Sequence, residues 1–133
     1  MTAVFLDTVG LLALWDMSDQ WHGDAETAFQ KLAARRAPLV TTTFVLLECG
    51  NAAARRPYRH EVDRLRLLLE RRKELVVPTR DDWDAAWAAY GRGDAAQAGI
   101  VDHVSFMVMR RMGIQEAFTN DQHFRAAGFQ MLF

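Results

Sequence analysis

The chain has 133 residues, half of them hydrophobic and a quarter charged, which fits one globular domain over 1–133 and argues against disorder. Sixteen Lys and Arg stand against seventeen Asp and Glu, so the net charge of −1 gives no global pull toward nucleic acid or an anionic membrane. The single cysteine, Cys49, excludes a disulfide framework; with no bilayer-length apolar stretch and no basic leader before "AVFL", a cytoplasmic protein with no membrane partner is expected.

"AVFL" (3–6) reads as a short strand buried on both faces, ending at Asp7. "LLALW" (11–15) follows, then the polar, turn-like "DMSDQWHGD". "AETAFQKLAARR" (25–36) carries Ala28, Phe29, Leu32 and Ala33 at helical spacing and closes on two arginines that suit a helix C-terminus. "PLVT" (38–41) is a second strand, and "TTTFVLLECGNAAARR" provides threonine caps and an apolar helix to about Arg55. Beyond the break at Pro57, "EVDRLRLLLERR" (61–72) is an amphipathic helix, and "ELVVPT" (74–79) is a third strand stopped by Pro78.

"RDDWDAAWAAY" (80–90) opens with helix-start acids and sets Trp83 and Trp87 one turn apart, where both are expected in the core. "GRGD" is a loop. "VDHVSFMVMRRMG" (101–113) is a helix starting at Asp102 and stopped by Gly113; "EAFT" is a fourth strand, "DQHFRAA" a short helix and "FQMLF" a final strand. Strand–helix alternation with short connections predicts an α/β fold: a mostly parallel central sheet of four to five strands with helices on both faces. In such sheets the chemistry collects where strands end and helices begin.

Four acids stand near those ends. Asp7 follows the first strand, Asp121 follows the fourth after "TN", Asp102 starts the preceding helix, and Glu48 lies one to two turns inside the helix after strand two. Asp102 and Asp121 also suit helix capping. Glu48 shares a helix face with Phe44, Asn51 and Arg55; it is either on the wet side or a buried charge that needs a cation. Asp7, ending a central hydrophobic strand, is the hardest to explain without a function. Clustered carboxylates repel, and a hard divalent cation with oxygen ligands is the usual remedy. No phosphate loop, HExxH pair or nucleophile elbow competes with this reading, and His22, His60, His103 and His123 are scattered surface or neighbouring residues rather than ligands.

"VFLDT", "TTTFVLLECGNA", "VDHVSFMVMRRMGI" and "AFTNDQHFRAAGF" together resemble, in order, the four motif blocks of PIN-domain ribonucleases, and are most similar to VapC-type toxins of toxin–antitoxin pairs. The resemblance implies a PIN-like three-layer fold and a metal-dependent endoribonuclease that leaves a 5′-phosphate and a 3′-hydroxyl. It implies Asp7, Glu48, Asp102 and Asp121 as the catalytic acids around Mg²⁺ or Mn²⁺, with Asp7 and Asp102 in direct contact. Thr8, Asn51 and Ser105 match the polar residues beside them. RNA as substrate, a cognate antitoxin and a homodimer are the implied partners. "LLALW" with Trp21 is a candidate antitoxin surface. The arginine clusters at 35–36, 55–59, 71–73 and 110–111 are solvated helix ends or phosphate contacts. The chain departs from many relatives before the third acid: "GDAAQAGIVD" has Ala95 where a lysine often follows the aspartate, which leaves Asp94 a loop or capping residue.

The alternative is a non-catalytic PIN-like RNA-binding or scaffold module, which substitution of Asp7 or Asp102 would have favoured. A receiver domain or a DxD phosphatase is disfavoured because "LDTVG" carries neither pattern.

Overall fold

A computed structural model describes residues 2–133. Five short parallel strands form one sheet in the order β3-β2-β1-β4-β5: β1 (Val4–Leu6), β2 (Leu39–Thr42), β3 (Leu75–Val76), β4 (Glu116–Phe118) and β5 (Gln130–Met131). β1 is central, with Phe5 registered on Val40 of one neighbour and on Ala117 of the other. Val4, Phe5 and Leu6 are all fully buried, as an unbroken apolar run between two helical layers should be. The chain builds outward from β1 through β2 to β3, then returns to add β4 and β5 on the other side. The switch point therefore lies between β1 and β4, directly after Leu6 and Phe118.

Helices α1 (Thr8–Trp15), α2 (His22–Ala34), α3 (Thr43–Ala53), α4 (Arg59–Arg72), α5 (Arg80–Arg92), α7 (Ile100–Met112) and α8 (Gln122–Ala126) flank the sheet. Between α5 and α7 lies an irregular element, α6 (Asp94–Gln97), a single turn wound left-handed at Ala95, Ala96 and Gln97. Thr42 caps α3 by accepting from the Val45 N–H, and Thr79 with Asp82 forms a capping box at α5. Among the described residues no helix is long and apolar enough to cross a membrane.

Three expectations need correction. The third strand is only Leu75–Val76 rather than 74–79, because Pro78 cannot extend a ladder and Val77 is 71% exposed. The polar segment before residue 25 is partly helical, with α2 beginning at His22. Trp83 and Trp87 are not core residues: they are 43% and 42% exposed. The buried face of α5 is made of Ala86 and Ala89, with Asp82 held bidentately by Arg111 of α7 (3.1 and 2.7 Å), so α5 packs through small side chains and one ion pair. The tryptophans stack edge-to-face on each other and on Phe44 and Tyr90 along the outside instead.

One glycine decides how tightly the switch point closes. A Cβ at Gly10 in α1 would lie 2.0 Å from the Phe118 carbonyl oxygen and 2.8 Å from its carbonyl carbon, so α1 crosses directly over the end of β4. Gly10→Ala is expected to push α1 off β4 and to lower stability by about 1–3 kcal/mol. A denaturant-unfolding midpoint equal to that of the wild type would refute this close approach.

Candidate metal centre and active site

Asp7 leaves β1 in extended conformation and caps α1, accepting from the Val9 N–H at 3.3 Å. It is 1% exposed. Across the switch point the Thr119 hydroxyl donates to Asp7 Oδ2 at 2.8 Å, and the same Thr119 oxygen accepts from the Asp121 N–H at 3.1 Å. One threonine thus ties the ends of β1 and β4 together and sets the separation of two acids.

Asp121 caps α8, accepting from the His123 N–H at 2.9 Å and facing His123 Nδ1 at 2.7 Å. Capping and pocket-facing are compatible there. Asp102 is different: the cap of α7 is Gly99, and Asp102 is the helix's third residue, with no capping bond. Capping, which the sequence allowed for Asp102, does not account for it. Glu48 lies on the exposed face of α3, yet its Oε1 accepts from the Thr8 hydroxyl at 2.6 Å, so it leans over the helix that Asp7 caps. The wet-face alternative is right about its exposure, and the Thr8 bond keeps it at the site's rim.

The charges converge. Burial first, then the negative charges of Asp7, Asp121 and Glu48, push the Asp102 carboxyl from 3.8 up to about 8, with His123 opposing. Asp7 is pushed up to about 7, chiefly by burial and further by Asp121, against the Thr119 hydrogen bond. Cys49, buried in α3, feels the same group: burial, then Asp7 and Glu48, drive its thiol up to about 12, and it is a small hydrophobe rather than a nucleophile.

One carboxylate oxygen each from Asp102 and Asp121 and a ring nitrogen of His123 lie within 4.8 Å of one another, a set able to hold one metal ion. Asp7 and Glu48 sit outside that compact trio and act on it through their charge. Ser105, one turn beyond Asp102, is fully buried and its Oγ has no hydrogen-bond partner among the described residues, as expected of a hydroxyl completed by a bound water or ion. The donor set and this orphaned hydroxyl fit a divalent cation. Asn51 is exposed one turn past Glu48. The sequence reading did not single out Thr119, and it took His123 as a neighbour of the acids rather than a ligand. Thr119 was signalled by its place at the strand end, and His123 by standing two residues after Asp121 at a helix start.

Residues 4–130 match the family model described as PIN domain. The chain belongs to the PIN domain family. It is 36% identical, over 95% of both chains, to the 23S rRNA-specific endonuclease VapC20 of Mycobacterium tuberculosis, in strains H37Rv and CDC 1551 alike. Its fold superposes on the crystal structure of Mycobacterium tuberculosis VapC20, a Sarcin-Ricin loop cleaving toxin, with a TM-score of 0.75 and 33% identity over 96% of each chain. The PIN-like α/β architecture and the kinship to VapC-type toxins expected from the motifs are both borne out.

The raised carboxyls give this PIN domain a pH signature. In the unfolded chain both acids lose their protons near pH 3.8, whereas the folded protein keeps them to about pH 7 and about pH 8. The folded state binds more protons across that window, so these acids contribute stability that is lost as pH rises through it. In EDTA the unfolding midpoint is expected to be higher at about pH 5 than at about pH 8.5. A midpoint that rises over this range would mean the acids are neither desolvated nor mutually repelling.

Proposed function

We propose that the chain is a divalent-metal-dependent endoribonuclease, the toxin of a VapBC-type pair, acting as one domain over 1–133. The observation that carries this reading is the convergence of Asp7, Glu48, Asp102 and Asp121 at the β1/β4 switch point, felt as a sum at Asp102. In this reading Asp102 and Asp121 hold the cation with Asp7 beside them, and Glu48 completes the acidic wall. When bound, Mg²⁺ or Mn²⁺ supplies activation of a water and charge stabilisation at the departing oxygen, giving a 5′-phosphate and a 3′-hydroxyl.

The chain's own residues do the placing. Thr119 holds Asp7 against rotation, Thr8 aims Glu48, and Ser105 offers its hydroxyl from the same helix as Asp102. Asn51, exposed one turn past Glu48, would meet the RNA backbone in this reading. By similarity to VapC20, a structured loop of ribosomal RNA is the favoured substrate class. Arg56 is engaged by Asp16 and Arg111 by Asp82, so the basic clusters are only partly available for phosphates.

Two apolar surfaces suit the implied partners. A groove of about 660 Å³ between α1, α2 and α4, lined by Leu11, Leu14, Trp15, Phe29 and Leu65, suits an antitoxin helix, and includes part of the "LLALW" stretch. The strip of Trp83, Trp87 and Tyr90 suits the interface of a homodimer, since monomers rarely leave such aromatic patches bare. A non-catalytic module is disfavoured because all four acids are present where their charges add.

Incubation of the full chain with total RNA is expected to give cleavage in Mg²⁺ or Mn²⁺ and none in EDTA, with Asp7→Asn and Asp102→Asn slower by about 100-fold or more. End-labelling of the products reads the 5′-phosphate. Cleavage indifferent to EDTA and to both substitutions would defeat the proposal.

A further inference from the structure

We propose that His123 is a metal ligand and the residue that sets cation preference at this site, favouring Mn²⁺ over Mg²⁺. The inference rests on the metal-dependent reading above and goes beyond it by giving a role to a side chain outside the acidic quartet.

The trio of donor atoms within 4.8 Å contains one nitrogen, and that nitrogen is His123's. The ring is not placed there by core packing: its side chain is 40% exposed and lies at the first turn of α8. It is nevertheless held in position. Asp121 Oδ1 accepts from the His123 backbone N–H at 2.9 Å and faces Nδ1 at 2.7 Å, so carboxylate and imidazole are presented as one unit. The bland account, a surface ion pair with Asp121, explains that 2.7 Å contact but not the approach of Asp102, which comes from a different helix. His103, the other histidine near Asp102, is buried against Tyr90 and Phe106 and belongs to the packing of α5 on α7.

The chemistry of the donors then discriminates between ions. Mg²⁺ prefers oxygen ligands and sheds water reluctantly, so an imidazole adds little to its binding. Mn²⁺ accepts carboxylate oxygen comparably and takes an imidazole nitrogen more readily. With Asp102 and Asp121 common to both ions, the nitrogen is the element that separates them.

Binding of Mn²⁺ alone and Mg²⁺ alone to the full chain, by calorimetric titration, tests this in the wild type, His123→Ala, His123→Gln and Asp102→Asn. Both His123 variants, folded as judged by circular dichroism, are expected to lose about 10- to 100-fold in Mn²⁺ affinity while Mg²⁺ affinity stays nearly constant. Pulsed EPR of the Mn²⁺-loaded wild type should show a nitrogen coupling that both variants lack. An unchanged Mn²⁺/Mg²⁺ ratio, or a nitrogen coupling that survives in both, would overturn the role of His123 while leaving the metal reading intact provided Asp102→Asn abolishes binding of both ions. Absence of binding by either ion to the wild type would overturn the metal reading and this inference together.

Discussion

A carboxylate with 1% exposure at the end of the central strand is the constraint around which the molecule is organised. Asp7 is sealed between α1, which it caps, and β4, whose following residue Thr119 gives it a hydroxyl hydrogen bond. Burial, with the charge of Asp121 added, raises its carboxyl to about 7 against the pull of those hydrogen bonds, which favour the charged form. The surrounding architecture makes that burial unavoidable. Gly10 lets α1 lie against the Phe118 carbonyl, and the order β2-β1-β4 places the end of β1 where the sheet's strand order reverses. Asp102 and Asp121 arrive at the same place from α7 and α8, so repulsion is built into the fold rather than added at its surface.

Such an arrangement trades stability for chemistry. Burial and mutual repulsion are unfavourable in the isolated protein, and a bound cation would relieve both at once; the proposed site treats the acids, the orphaned Ser105 hydroxyl and the His123 ring as one assembly on that ground. The same logic separates the structural ion pairs from the acids of the proposed metal site. Asp82 is also buried, but the Arg111 guanidinium holds its carboxyl below the usual range, and it locks α5 to α7 without any need for a metal.

Much of this was legible in the sequence because it depends on strong local signals. β1 is an unbroken apolar run bounded by an aspartate, Thr42 begins its helix as a cap, and Gly113 ends α7 in left-handed conformation. The PIN-type order of the four motif blocks carried the family. What local pattern could not carry was direction. The spacing of Trp83 and Trp87 is that of a buried pair, yet Ala86 and Ala89 form the buried face of the helix and leave the rings outside. Asp102 looked like a cap until Gly99 proved to be one, and Glu48 could have faced either way until the Thr8 hydroxyl set its lean. His123 was read as a neighbour because the four histidines are scattered with no metal-ligand spacing, and its approach to Asp102 joins two helices distant in sequence.

Thermal unfolding of the wild type and Asp7→Asn at about pH 8.5, each with EDTA and with saturating Mn²⁺, tests the central claim most directly. If Asp7 is a buried charge tolerated for the sake of a cation, Asp7→Asn should raise the melting temperature in EDTA and shrink the increase that Mn²⁺ produces. A variant that melts below the wild type in EDTA and gains as much from Mn²⁺ would contradict it, showing Asp7 to be a structural cap with no part in metal binding.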